Sequence, residues 1–171
     1  EFEAMIFRRG YVDELSFGAF DEDKLVSFTL NGVGVFNGLR TAYDTGTGTI
    51  AKYRGKGLAT RIFEYSVPYL RETGIKQYLL EVLQHNEKAV SIYKKAGFKV
   101  SREFNYYTAD LESIQLKDKV ADDSVVIRKI AFSKDIESLN FHDFTPSWQN
   151  NRDSIDRRRD DFDLFGAYIE D

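Results

Sequence analysis

The chain contains no cysteine and only two histidines in 171 residues. Without cysteine there are no disulfides, no thiolate metal ligands and no cysteine nucleophile, so acyl transfer through a thioester on the protein is excluded. The two imidazoles, His85 and His142, lie in unrelated segments and have no companion at the spacing of metal ligands on a helix. We therefore expect no metal, and any acyl transfer has to proceed by direct attack of the acceptor.

Positive net charge and long apolar runs are also missing. The formal net charge is −4 and the isoelectric point is about 5.3. A protein that binds nucleic acid needs a basic face for the phosphates, so that class of partner is not expected. No run approaches the ~18 apolar residues that span a bilayer, and no charged-then-apolar leader opens the sequence. We expect no membrane partner and a cytoplasmic location.

The chain does have ample material for a packed core, since 42% of its residues are hydrophobic and 15% are aromatic. Its length suits one domain or slightly more. Strand-like runs alternate early in the chain with turn signals at Asn31-Gly32 and Asn37-Gly38. We predict antiparallel strands at Leu15–Asp21, at Lys24–Val35 and at Leu39–Tyr43, the last continuing toward Ile50.

A helix, a buried strand and a second helix are predicted next. Apolar residues recur with helical period from Leu58 until Gly74, and Pro68 is expected to bend this helix. Gln77–Leu83 has the composition of a buried strand, and a crossover through a helix makes it parallel to the strand before it. The second helix has Asn86 as its N-cap and Gly97 as its left-handed C-cap. Two further strands are predicted at Phe98–Tyr107 and Thr108–Leu116.

A polar linker at residues 117–123 divides the chain into residues 1–116 and residues 124–171. The second part is predicted as strand Val125–Ile130, helix Lys134–Phe144, a second helical stretch through Arg159, and strand Leu164–Ile169. The seven residues that begin at Phe17 are similar to the seven that begin at Phe165, 148 residues later. This period is about one domain, so the two ends indicate a repeated module, unless the short match is a coincidence.

The segment Arg54–Ala59 lies where a strand is predicted to pass into a helix. Gly55 and Gly57 let the backbone approach a ligand closely, and the first turn of a helix has N–H groups without an internal partner. Arg54 and Lys56 add positive charge. This construction suits a pyrophosphate, although a glycine turn before a helix is by itself often only a turn.

Two segments in the right order resemble the GNAT superfamily of acetyl-CoA-dependent N-acetyltransferases, most clearly over residues 45–100. Arg54, Gly57 and Ala59 match its pyrophosphate loop, Arg/Gln-x-x-Gly-x-Gly/Ala. The strand, Asn86, helix, Tyr93 and Gly97-Phe98 match its following segment. The resemblance implies an α/β fold with a mixed sheet, antiparallel at first and splayed where the cofactor enters between two parallel strands.

The usual first strand and helices of that fold are absent from the start of residues 1–116, and residues 124–161 are equivalent in kind. Residues 124–171 therefore either begin a second module or complete the first. Completion is possible within one chain, as in a circular permutation, or between two chains, as in a swapped homodimer. Alternatively, the chain is an excerpt of a tandem protein.

The resemblance also implies the cofactor site for acetyl-CoA. The pantetheine arm is expected to pair with the strand before the loop, around Thr47–Ala51, whose glycines indicate either a bulge that opens the sheet or a flexible turn. Asn86 is a helix cap that also contacts the arm. The implied cofactor-binding residues are Thr47, Thr49, Ile50, Ala51, Arg54, Gly55, Lys56, Gly57, Leu58, Ala59, Thr60, Asn86 and Tyr93.

Tyr93 and Glu81 are the candidate catalytic residues. The family uses a tyrosine at this place to protonate or steer the leaving sulfur, whereas a buried core tyrosine is the alternative. Glu81 lies in an apolar strand, where a carboxylate is costly unless paired or solvated, and it is the candidate base. A surface or structurally paired carboxylate is the alternative. The Leu-Glu-Val segment resembles ribosomal-protein alanine acetyltransferases, but Leu83 stands where those usually carry arginine, which counts against a peptide acceptor.

The resemblance thus predicts acetyl transfer from acetyl-CoA to a primary amine of a small molecule or peptide. A non-catalytic module that binds CoA, or one that only packs against a second GNAT module, is the competing prediction.

Overall fold

A computed structural model describes residues 1–115, 124–131 and 143–169. Within these residues the main sheet has four strands in the order β1-β2-β3-β4. They are Phe17–Asp21 (β1), Lys24–Phe36 (β2), Leu39–Thr49 (β3) and Gln77–Leu79 (β4). The first three are antiparallel, and β4 is parallel to β3. This mixed sheet confirms the predicted fold class.

The turn between β2 and β3 confirms one of the two turn signals. Asn37 and Gly38 both have positive φ, 51° and 75°, as a two-residue hairpin turn requires. The prediction of a turn at Asn31-Gly32 is wrong, because Asn31 lies in the middle of β2 with 0% of its surface exposed. Its amide donates to the Leu15 carbonyl at 2.6 Å and accepts from the Tyr78 hydroxyl at 2.5 Å.

In the part of the chain that the structure describes, three helices accompany the main sheet: Phe2–Arg8 (α1), Leu58–Glu72 (α2) and Glu87–Lys95 (α3). Helix α1 was not predicted. Helix α2 runs through Pro68 and buries Ile62, Ser66 and Leu70. One core cluster consists of Leu15, Ala42 and Leu70, with Tyr78 among the side chains packed against it. Among the described residues, no helix combines the length and apolar character that crossing a bilayer requires.

The parallel strand is shorter than predicted, since β4 ends at Leu79 rather than at Leu83. The prediction of strands at Phe98–Tyr107 and Thr108–Leu116 is wrong for residues 98–115, and residue 116 lies outside the described residues. These residues have no strand partner in the described part of the chain. Tyr106 and Tyr107 are 88% and 85% exposed, so their aromatic content does not reflect a buried strand.

Residues 124–131 and 143–169 form a second, two-stranded sheet and a helical turn. Val125–Ile130 (β5) pairs antiparallel with Leu164–Ile169 (β6). Both strands are as predicted, whereas most of the predicted helix Lys134–Phe144 lies outside the described residues. The second helical stretch is the short helix Arg152–Asp156 (α4), flanked by 3-10 turns at Trp148–Asn150 and Arg159–Asp161.

Trp148 joins this second part to the main sheet. It is 2% exposed and stacks on Tyr43 with ring centroids 5.0 Å apart, on the sheet face opposite to Ala42. Phe36 completes this second core cluster. Arg157 donates to the carbonyls of Arg8 and Val33 at 3.1 and 3.3 Å. These contacts with the main sheet come from the helical part at residues 148–157, while β5 pairs with β6. The division into modules stays a prediction.

Candidate active site

Strands β3 and β4 separate after three residue pairs. Thr41–Tyr43 pair with Gln77–Leu79, and beyond Tyr43 only β2 continues beside β3, as far as Ser27 opposite Thr49. Within the described residues the other edge of β3 therefore has no strand partner from Asp44 onward. Such an edge presents free backbone N–H and C=O groups to an extended ligand.

A bulge accompanies this separation. Leu30 pairs with Gly46 and Asn31 pairs with Asp44, so Thr45 is an extra residue in β3. Its carbonyl accepts from an Arg9 guanidinium nitrogen at 2.6 Å, which satisfies a group that the ladder leaves unpaired. Of the two predicted alternatives for the glycine-rich segment, the structure has the bulge.

A small cavity lies between the separated strands. It has a volume of about 20 Å³, room for about one water, so a ligand arm entering here has to move side chains aside. Its walls come from β3, from the first turn of α2 and from α3. The lining residues are Thr29, Asp44, Thr47, Ala59, Thr60, Phe63, Tyr78, Ile92, Tyr93, Ala96 and Phe98. Of the predicted site residues it brings together Thr47, Ala59, Thr60 and Tyr93.

The start of α2 has the geometry of an anion site. Gly55 and Gly57 have φ of 79° and 72°, values that residues with a side chain rarely adopt. Gly57 is the N-cap, and no side chain caps the helix. A Cβ built on either glycine meets no protein atom within 4 Å. The first-turn amides from Leu58 to Thr60 therefore have no side-chain cap at the positive end of a 15-residue helix.

The basic residues beside this turn are held in place by neighbours. Arg54 donates through Nε to the Thr49 carbonyl at 3.0 Å, which ties the loop to the end of β3. The Lys56 ammonium lies 5.0 Å from the centroid of the Tyr53 ring. Ile50 and Ala51 belong to the intervening turn rather than to β3, and the Ile50 amide donates to the Val26 carbonyl.

Tyr93 lies on α3 with its hydroxyl facing β3. The hydroxyl donates to Asp44 Oδ2 at 3.4 Å. Burial, and then the charge of Asp44, raises the pKa of Tyr93 to about 12. The phenol is therefore protonated at neutral pH and has a proton to donate. Its ring packs edge-on against Phe98.

Asp44 is a site residue that the sequence analysis missed. Its Oδ2 accepts from the Thr47 hydroxyl at 2.8 Å, and its buried Oδ1 has no hydrogen-bond partner among the described residues. Burial raises the pKa of Asp44, and hydrogen bonds from Thr47, the Gly46 amide and Tyr93 partly oppose this. No local signal distinguishes it, since an aspartate before Thr-Gly is typical of a turn.

Glu81 does not line the cavity. It lies near Tyr43, on the side of the sheet where Trp148 packs. Its Oε1 accepts from the Trp148 backbone N–H at 3.2 Å and its Oε2 from the Gln149 amide at 3.0 Å. Gln149 also donates to the Tyr43 hydroxyl. The carboxylate is thus paired, and each oxygen keeps a lone pair for a further donor.

Asn86 caps α3 as predicted. Its side chain accepts from the Ala89 amide at 3.3 Å, and Gly97 ends the helix with φ of 94°. Asn86 does not line the cavity. In the described ranges, no three His, Asp or Glu side chains come together in a cluster that could hold a metal ion.

Known proteins share parts of this sequence. Residues 1–98 match the Acetyltransferase (GNAT) family. N-alpha-acetyltransferase 30 of Schizosaccharomyces pombe is 30% identical over 96 residues, covering 55% of this chain and 64% of the relative. N-alpha-acetyltransferase MAK3 of Arabidopsis thaliana is 27% identical over 105 residues, covering 61% of this chain and 55% of the relative. The chain thus spans less than two thirds of the length of these curated relatives.

Among solved structures, a putative acetyl transferase from Pyrococcus furiosus has a similar fold. Its TM-score is 0.51 at 20% identity, covering 55% of this chain and 64% of that chain. At this identity the similarity shows the fold alone. With the family match over more than half of the residues, it confirms the resemblance found in the sequence: the chain belongs to the GNAT acetyltransferase family.

Proposed function

We propose that this chain transfers an acetyl group from acetyl-CoA to a primary amine by direct attack. The observation that carries the proposal is one cavity between separated strands that is lined both by the first turn of α2 and by Tyr93. A helix start suited to an anion and a phenol that can donate a proton thus line the same cavity.

The residues at the start of α2 fit a diphosphate. The open space over Gly55 and Gly57 admits phosphate oxygens where any side chain would stand, and the uncapped amides of α2 supply donors. Lys56 and Arg54 add charge beside it. The edge of β3 beyond Tyr43, which no described strand covers, offers backbone pairing to the amide groups of an extended arm, apart from the Thr45 and Thr49 carbonyls that accept from arginines.

Acetyl transfer to an amine moves two protons, and we assign one to Tyr93 and one to Glu81. Acetyl-CoA supplies a thioester whose carbonyl carbon forms the new bond to nitrogen while its bond to sulfur breaks. Tyr93 donates one proton to the leaving sulfur. Glu81, which does not line the cavity, accepts one proton from the amine through an intervening water, using the lone pairs that its present partners leave. Exchange with solvent restores both groups, so nothing else is consumed.

The acceptor is proposed only as a class, a primary amine of a small molecule or a peptide. The names of the two relatives describe N-alpha-acetyltransferases, which places peptides with a free α-amine first in a panel of acceptors. Leu83, where the related alanine acetyltransferases carry arginine, is the reason to include polyamines and amino sugars.

The test is release of free thiol from acetyl-CoA across this panel. We expect an amine-dependent rate that falls about 100-fold in kcat for Tyr93→Phe, with little change in KM. Tyr69→Phe removes a hydroxyl from the exposed outer part of α2 and serves as the matched control. Equal rates for Tyr93→Phe and the wild type would contradict the assignment of the acid.

The alternative, a module that binds CoA without turnover, draws on the pairing of Glu81 with residues 148 and 149. A thermal shift with CoA combined with no thiol release for any amine identifies such a module. A purely structural module, paired with a second module or with another copy, shows neither signal.

We further propose that the helical part of residues 143–157 completes the first module. Trp148 covers Tyr43 and Phe36, and Gln149 bridges Glu81, Tyr43 and Arg9. A homodimer in which this part is exchanged between copies buries the same surfaces, so a concentration-dependent mass measured by light scattering separates exchange from completion within one chain.

A further inference from the structure

The carboxylate of Asp44 has no role in the function proposed so far. It lies at the point where β3 leaves β4, directly before the bulged Thr45, and it lines the cavity together with Tyr93. A β-bulge changes the direction of the neighbouring side chains, so the bulge at Thr45 contributes to the placement of the Asp44 side chain. Burying a carboxylate oxygen without a partner is costly, and Asp44 Oδ1 is buried in that way among the described residues.

Three polar groups surround the carboxylate of Asp44. The hydroxyl of Thr47 donates to Oδ2 at 2.8 Å, and the nearby backbone N–H of Gly46 lowers the pKa of this carboxyl group. The Tyr93 hydroxyl donates to Oδ2 at 3.4 Å. The first two come from β3, as Asp44 does, while the third comes from α3.

The ionisable groups that face this pair are few. Arg9, from the chain after α1, lowers the pKa of Asp44 through its charge. Tyr78, from β4, has its own pKa raised by burial first and then by Asp44 and Tyr93. Helix α2 contributes only Ala59, Thr60 and Phe63 to the cavity. Asp44 is therefore the one anion among the described residues that acts on the Tyr93 phenol.

We propose that Asp44 is a positioning residue of the transferase site, which orients the hydroxyl of Tyr93 and keeps its proton in place until the sulfur leaves. This rests on the proposed function. Asp44 exchanges no proton in the balance given above. It accepts the Tyr93 hydrogen bond before the step, and the phenol turns from Oδ2 to the sulfur as negative charge develops there.

A double-mutant cycle in kcat tests the coupling. We expect Asp44→Asn to lower kcat about tenfold in the wild type, the cost of replacing a charged by a neutral acceptor, and less than about twofold in Tyr93→Phe. The KM for acetyl-CoA should stay unchanged. Asp23→Asn, the same chemical change in the exposed turn before β2, is the control and should leave kcat unchanged. Equal losses in both backgrounds would overturn the proposal, because Asp44 would then act independently of Tyr93.

A second readout needs no turnover. In protein labelled with ¹³Cζ-tyrosine, the Tyr93 resonance is identified by its loss in Tyr93→Phe. Asp44→Asn should move this resonance and lower its titration midpoint from about 12, because the negative charge that disfavours the phenolate is gone.

An unmoved resonance overturns the inference and leaves acetyl transfer standing. A moved resonance in a protein that releases no thiol with any amine overturns the proposed function, and with it the catalytic meaning of the contact.

Discussion

Replacing Gly57 by alanine tests the anion site most sharply, because the chain offers a matched control. Gly57 and Gly38 have φ of 72° and 75°, and a Cβ on either meets no protein atom within 4 Å. The two substitutions therefore impose the same backbone strain, about 1 kcal/mol or a fall in Tm of about 2–4 °C for a chain of this size. Neither creates a clash within the protein.

The two positions differ in what lies beside them. Gly57 begins α2, whereas Gly38 lies in the turn that begins β3, separated from the loop by a strand of 11 residues, about 35 Å of chain. The methyl group of Gly57→Ala occupies the space assigned to phosphate oxygens. We expect its Kd for CoA to rise at least about tenfold, or about 1.4 kcal/mol, while Gly38→Ala binds CoA as the wild type does.

Isothermal titration calorimetry with CoA and with pantetheine measures both effects. Pantetheine lacks the diphosphate, so its affinity should be the same in all three proteins. Wild-type affinity of Gly57→Ala for CoA would refute the assignment of the diphosphate to this turn. An equal loss in Gly38→Ala would show that strain, rather than blocked space, weakens binding.

Three further changes test the packing and the charges around the site. Tyr78→Phe leaves the buried amide oxygen of Asn31 unpaired, and it should lower the free energy of unfolding by about 1–3 kcal/mol in urea denaturation; no loss would contradict that hydrogen bond. Trp148→Ala removes the ring stacked on Tyr43 and should cost about 3–5 kcal/mol, whereas an unchanged urea midpoint would show that the helical part does not pack on the main sheet. Burial raises the pKa of Asp44, so the folded state binds the carboxyl proton more tightly than the unfolded state does. The stabilising contribution of Asp44 is therefore fully present below the pKa of the unfolded state. It is lost as the pH rises through the pKa of the folded state. Asp44→Asn should therefore be more stable than the wild type at pH 7.5, with a difference that shrinks toward pH 4, and a constant difference in Tm would contradict this.

Local sequence signals predicted the elements that depend on local chemistry. The helix from Leu58, the turn at Asn37-Gly38 and the caps at Asn86 and Gly97 are all present, because each requires only a periodicity or a special φ. The glycine turn before α2 belongs to this class, since its two glycines and the helix start are adjacent in sequence; its binding of a pyrophosphate stays a proposal.

Features that depend on distant partners were not predictable in this way. Asn31 has the composition of a turn residue, yet it lies in β2 because Leu15 and Tyr78 satisfy its amide. Asp44 has a site position only because β4 stops at Leu79 and α3 brings Tyr93 across. The aromatic residues after Gly97 have the composition of strands, but strands need a partner, and the described residues provide none.

The central claim is that the diphosphate of CoA binds the uncapped amides at the start of α2, and amide chemical shifts measure this directly. In ¹⁵N-labelled protein, CoA should shift the amide resonances of Gly57, Leu58, Ala59 and Thr60 with a common saturation curve, and pantetheine should leave them in place. If CoA binds while those four amides stay unmoved, the site and the mechanism built on it are wrong.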